Sequence, residues 1–203
     1  NGENVPETHV LIRGEAGKPD YKVEPSVPSV FKMKITEPVP TGHSSGRRLA
    51  LANWIANPSN PLTSRVMVNR IWQYHFGKGI VGSPNDFGQA GEPVSNLKLL
   101  DWLATEFVSS GWSVKHMHRI IMNSKTYQRS SKSNPNNMTK DPSNIHHWRM
   151  NLRRLEAETL RDKILQVSGL LNKKRGGPSF YPALSGEVLS GASKPGRGWG
   201  WSG

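Results

Sequence analysis

An imidazole and a carboxylate held side by side can pass a proton at neutral pH. The chain offers such a pair in His75 and Asp86, which lie on either side of a glycine-rich turn. Around them stand Asn69, Arg70, Trp72, Asn85 and Glu92, able between them to hydrogen-bond, ion-pair and stack. Two readings are open. In one, Asn69, Arg70 and Asp86 form a buried polar network that fixes the loop, because buried polar groups normally exist to satisfy backbone. In the other, the same groups line a pocket for a sugar or small ester. Trp72 is then a stacking surface, and His75 with Asp86 moves the proton.

Other chemistry is thinner. The motifs GxSxG, Walker A and HExxH are all absent, so the common hydrolase and nucleotide signatures lend no support. Histidines pair as His116-x-His118 and His146–His147. On a helix, side chains two apart diverge, which counts against His116 with His118, and histidines at either pair more often pack than bind metal. His118 is expected on the apolar face as a hydrogen-bonded core residue, and His116 toward solvent. No metal site and no cofactor is predicted. Glu156, Glu158 and Asp162 follow on a later segment, close enough in helical spacing to pair with Arg154 and Arg161.

Composition bounds these possibilities. In 203 residues there are 20 Gly, 15 Pro and only 34% hydrophobic side chains, which predicts a modest core carrying long irregular segments. The absence of cysteine excludes disulfides, thiolate zinc, iron–sulfur clusters, c-type haem attachment and cysteine catalysis within this chain. No run reaches the length of a membrane span, and no signal-peptide pattern opens the chain. The first residue is Asn rather than Met, as expected of a fragment or processed chain.

The net charge of +12 is unevenly placed. Residues 115–175 hold 14 basic and 4 acidic side chains, a local +10. Lys115, Arg119, Lys125, Arg129, Arg153 and Arg154 are the candidate basic surface. A field of this sign attracts an anionic polysaccharide, nucleic acid, lipid headgroups or an acidic neighbouring domain, or is simply solvated.

The spacing predicts a mainly α protein: an irregular bundle of about five helices behind a Pro-rich extended arm. The arm covers residues 1–42, with a short strand at THVLIRG and prolines that break anything longer. The helical domain is expected over residues 43–175 and a glycine-rich tail over 176–203. A serine cap at Ser44–Ser45 starts the first helix, with Leu49, Ala52, Ile55 and Ala56 on its inner face. Thr63 is expected to cap the second. There Met67, Val68, Ile71, Trp72, His75 and Phe76 form a stripe, and Gly77 supplies the left-handed stop. Residues 77–94 read as a structured loop. Ser95 is expected to cap the third helix, with Leu99, Leu100, Leu103, Ala104 and Phe107 inward. Gly111 closes it, and Ser113 opens a fourth through Val114, Met117, His118 and Ile121. Residues 130–143 read as a polar loop, and residues 152–171 as a fifth helix with Leu160, Ile164, Val167 and Leu171 inward. The helix–glycine–helix unit over residues 99–129, bearing Lys115, His116, Arg119 and Lys125, keeps a nucleic-acid reading open.

The runs GRRLALANWIANPSNPLTSRVMVNRIWQYHFGKGIVGSPNDFG, LLDWLATEFVSSGW, HRIIMNSKTYQRSS and RRLEAETLRDKILQVSGLL together resemble a known family. It is the planctomycete-specific domain of unknown function found downstream of planctomycete cytochrome c domains in large secreted proteins. THVLIRGEAGKP and VPSVF before these runs, and GRGWGWS after them, fit the same pattern. The resemblance implies a secreted or periplasmic protein that continues past this chain, with any haem or carbohydrate-associated module elsewhere. One departure stands out. Where the family reads like His-Pro-Glu before LLDWLA, this chain has Asn96, Leu97 and Lys98, so that His and Glu carry no role here. The leading expectation is a binding or assembly module for an anionic glycan or partner domain. A hydrolase of glycosidic, ester or lactone bonds is the alternative, and a nucleic-acid-binding helical domain a third.

Overall fold

A computed structural model describes residues 5–177 and 186–187. The chain divides into two compact units, one through Arg153 and one from Arg154. The architecture is mainly α, with one small sheet. In the first unit, β1 (Thr8–Leu11) and β2 (Pro19–Val23) pair antiparallel, Thr8 opposite Val23, with an irregularity between His9 and Leu11. The arm therefore doubles back where only one short strand is expected. Arg13 and Gly14 take positive φ at the turn, which lets the chain reverse before Pro19.

The arm also packs. Phe31 lies 5.7 Å, centroid to centroid, from Trp54. Trp54 stands on α1 (Arg47–Ile55), which Gly46 rather than a serine leads into at φ 72°. A β-carbon on Gly46 would lie 2.3 Å from the Val39 carbonyl oxygen, so only glycine allows the arm to pass this close. The face expected to be inward on α1 is not. Ala50 is the buried residue, whereas Leu49 and Ile55 are exposed. Four apolar positions define a helical face but not what covers it.

Residues 57–61 turn through Asn60, a buried side chain that accepts from the Leu62 and Thr63 N–H groups and donates to the Trp54 carbonyl. Asn60 thus does the work expected of Thr63, satisfying orphan donors at the start of α2 (Thr63–Phe76). Val68, Ile71, Trp72 and Phe76 are buried as the stripe predicts, while Met67 is exposed. Gly77 ends the helix at φ 86°. The next two helices are α3 (Leu97–Ser109) and α4 (Val114–Met122). Asn96, one residue beyond Ser95, caps α3 by accepting from the Leu99 N–H, and Ser113 caps α4 by accepting from that of His116. Ser95 is spent elsewhere, donating to the Ile80 carbonyl.

The core joins α2, α3 and α4 through Val68, Trp72, Phe76, Leu100, Leu103, Phe107, Met117 and Ile121. Ile80 and Val81 of the glycine-rich loop are also fully inside it. The polar stretch after residue 130 contains a further short helix, α5 (Pro135–Lys140), with Asn134 as its cap. In the second unit, α6 (Ala157–Val167) is shorter than its apolar spacing predicts, and Leu160, Ile164 and Val167 are exposed. Most of the expected tail, including GRGWGWS, lies outside the described residues. Among the described residues, no helix is long and apolar enough to cross a membrane.

Candidate functional site

Two loops of the first unit face one another across a cleft of about 170 Å3. The first is the glycine-rich loop after α2. Its anchor is Asn69, fully buried on α2, whose Nδ2 donates to the Val81 carbonyl at 3.0 Å while its Oδ1 accepts from the Val81 N–H at 2.9 Å. The carboxamide acts as a strand partner for the Val81 peptide groups. Gly79 permits this approach, since a β-carbon there would sit 2.7 Å from the Asn69 Nδ2. The loop then returns along itself, Val81 bridging to Val94.

The second loop follows α5 and is held in the same manner. Buried Asn144 donates from Nδ2 to the Arg149 carbonyl at 2.8 Å and accepts at Oδ1 from the Arg149 N–H at 3.2 Å. It takes a positive φ of 53°, a conformation asparagine tolerates better than most residues. Asp141 fastens the other side of the turn, accepting from the Ile145 and His146 N–H groups at 2.9 Å each. Partial desolvation pushes its carboxyl upward, but these two N–H donors and the nearby histidines bring it below its ordinary value.

His147 joins the loops to the core. Its Nε2 lies 3.3 Å from the indole Nε1 of Trp72, which can only donate. The ring is therefore neutral with its proton on Nδ1. That Nδ1 is buried and has no hydrogen-bond partner among the described residues. Burial holds His147 below its ordinary value; Asp141 opposes the shift, and Arg129 and His146 add to it. Phe76 packs on the same ring at 4.8 Å.

Of the residues singled out from the sequence, Glu92 reaches the cleft. It pairs with Lys78 at 2.9 Å. Both side chains are more than half exposed, so the pair is a mouth feature rather than a source of much stability. A β-carbon on Gly82 would meet the Glu92 Oε2 at 2.1 Å, a clash this exposed and flexible side chain can relieve by shifting.

The remaining candidates lie elsewhere. Asn69 is the buried anchor, but Arg70 is exposed and bonds Asn85 at 3.0 Å on the surface. Asp86 is exposed and accepts from the Gly88 N–H at 2.8 Å within its own turn. The expected buried network thus reduces to Asn69, because Arg70 and Asp86 stand on the solvent side of the loop. Trp72 is only 4% exposed, packed against Phe76 at 4.2 Å, and offers no open stacking face. His75 is half-buried with its Nε2 2.7 Å from the Nδ1 of His118, and Tyr127 meets its ring edge-on. Burial lowers its proton affinity, and His118 and Arg153 push the same way. Among the described residues, His75 and Asp86 share no hydrogen bond. His116 does not face open solvent either; its Nε2 contacts Glu106 at 2.7 Å.

Lys115, Arg119 and Lys125 are exposed, the first two one turn apart on α4. Arg129 donates to the His147 carbonyl and Arg153 to that of Tyr74, so these two guanidinium groups tie the second loop and its exit to the core. Arg154 begins the second unit. No group of three or more His, Asp or Glu among the described residues is placed to hold a metal ion. Sequence reasoning weighed His147 only as half of a histidine pair, and missed Lys78 and Asn144. The signal it had was an asparagine in an otherwise polar loop, but nothing local said that this amide was buried.

No curated protein and no solved structure matches this chain. A family model described as a protein of unknown function, PSD1 (DUF1553), matches residues 47–197. That span holds α1 to α6 and both walls of the cleft, and the chain belongs to this family of proteins of unknown function.

Proposed function

We propose that the chain is a binding or assembly module of a larger extracytoplasmic protein, secreted or periplasmic, whose basic surface takes an anionic glycan. The observation that carries this reading is the state of the charges. Lys115, Arg119 and Lys125 are exposed and enter no ion pair among the described residues. Asp101 and Glu106 on α3 are already engaged by Arg65 and His116. Such a face presents unneutralised positive charge to a polyanion. The groups that would serve a hydrolase are occupied differently: His75 by His118, and Asp86 by its own turn. Planctomycete origin, a place downstream of a cytochrome c domain and an acidic neighbouring domain as an alternative partner belong to the same reading. They rest on the sequence runs quoted above.

Retention on immobilised heparin tests the proposal. It should fall steeply with salt, and replacing Lys115, Arg119 and Lys125 together by Gln should move elution to lower salt. Elution of the parent like a neutral protein would remove the proposal. Duplex DNA outcompeting sulfated glycan would put the nucleic-acid reading in its place. Turnover of an ester or glycoside panel, erased by His75→Ala in a protein that still melts like the parent, would establish a hydrolase instead.

A further inference from the structure

We infer that the cleft between the two asparagine-pinned loops is a subsite for one neutral pyranose ring, held through two vicinal hydroxyls by the Lys78–Glu92 pair. It is separate from the basic face of α4. Three observations converge on a ligand of this chemistry.

The first is the spacing of donor and acceptor at the mouth. Lys78 Nζ and Glu92 Oε2 stand 2.9 Å apart, a separation comparable to that of the two oxygens in a gauche vicinal diol. The ammonium keeps two unspent N–H donors. The second carboxylate oxygen of Glu92 makes no hydrogen bond or ion pair among the described residues. One hydroxyl can donate to that oxygen while its neighbour accepts from Lys78. The pair carries no net charge, so a neutral diol leaves the balance intact, whereas a simple anion or cation would have to compete with one of its members.

The second observation is that each wall offers an exposed apolar side chain. Val94 projects from the first loop and Ile145 from the second, 40% and 47% exposed, where the C–H face of a sugar ring can cover them. His147 lines the same cleft. Third, the cleft's size selects among polar ligands. At about 170 Å3 it falls below the ordinary range for drug-sized ligands, and suits a single ring rather than an oligosaccharide.

Titration of the intact chain with the methyl glycosides of glucose, galactose and mannose, followed by NMR, tests this directly. Sodium acetate and methylammonium chloride serve as controls. At least one glycoside should give saturable shifts at Ile145 and His147. Glu92→Gln should weaken that binding about tenfold, as expected when a charged hydrogen bond is replaced by a neutral one. Ile145→Trp should abolish it by filling the cleft. Both positions are exposed, so melting should stay at the parental value, and retention on heparin should be unchanged, which separates this site from the basic face. Saturation by acetate or methylammonium in preference to every glycoside would overturn the inference. So would glycoside binding indifferent to both substitutions, or no saturable binding of any glycoside.

Discussion

Asn69 and Val81 are joined at both ends of one peptide-like contact, carboxamide to amide, with neither residue more than 1% exposed. The same arrangement recurs between Asn144 and Arg149. In each case a side chain supplies the hydrogen bonds that a neighbouring strand would supply in a sheet. A protein with few strands can therefore bury loop backbone against helices.

This relationship sets an order of stabilities. Asn69→Ala strands a buried donor and a buried acceptor of Val81, each costing about 1–3 kcal/mol. Trp72→Ala removes a nearly buried indole and leaves a cavity, with an expected loss of about 3–5 kcal/mol. Asp86→Ala removes only a surface turn contact and should cost about 1 kcal/mol or less. Thermal unfolding should show the Trp72 and Asn69 variants both clearly less stable than the Asp86 variant. An Asp86 variant as unstable as the Asn69 variant would contradict the placement of that loop.

Acid should weaken the fold through two histidines. His75, facing His118, Arg153 and Tyr127, and His147, facing Trp72, Asp141, Arg129 and His146, both bind protons less readily folded than unfolded. Their contribution is complete above the ordinary imidazole value of 6.5. It is lost as the pH falls below that value and through the lowered folded-state values, because the unfolded chain then takes up protons first. Geometry agrees: a second proton on His147 would face the indole N–H of Trp72 with no acceptor between them. The urea midpoint should drop between about pH 8 and pH 5, and the drop should be shallower in the His75→Gln, His147→Gln double variant. A midpoint that holds steady or rises on acidification would contradict both assignments.

The arm provides a backbone test. Gly46→Ala places a β-carbon against the Val39 carbonyl at a residue with φ 72°. Strain of about 1–2 kcal/mol from the left-handed backbone, with overpacking in addition, should push the arm off α1. Gly17→Ala, with nothing within 4 Å of the new atom, is the matched control. Limited proteolysis should cut residues 24–42 faster in the Gly46 variant than in the parent or the control. Equal rates in all three proteins would show that the close approach of Val39 does not hold the arm.

Local rules made three helices and their stops legible. The stripe from Val68 to Phe76, the leucines of α3, Gly77 and the Ser113 cap all act within one or two turns, where periodicity and backbone preference operate. The basic segment was equally plain, because charge needs no partner to be counted. Tertiary structure alone decided which apolar faces would be covered. Leu49 and Ile55 have the spacing of an inner face and remain exposed, since spacing aligns side chains without supplying an opposite wall. It also separated His75 from Asp86, sending one to α4 and the other to a surface turn. The cleft was the least visible feature. Its second wall reaches the core through His147 and Trp72, 75 residues apart, and is held by Asn144, whose buried amide looks in sequence like ordinary loop polarity. Closing such contacts depends on how the whole chain is packed, and no local pattern of residue types encodes that closure.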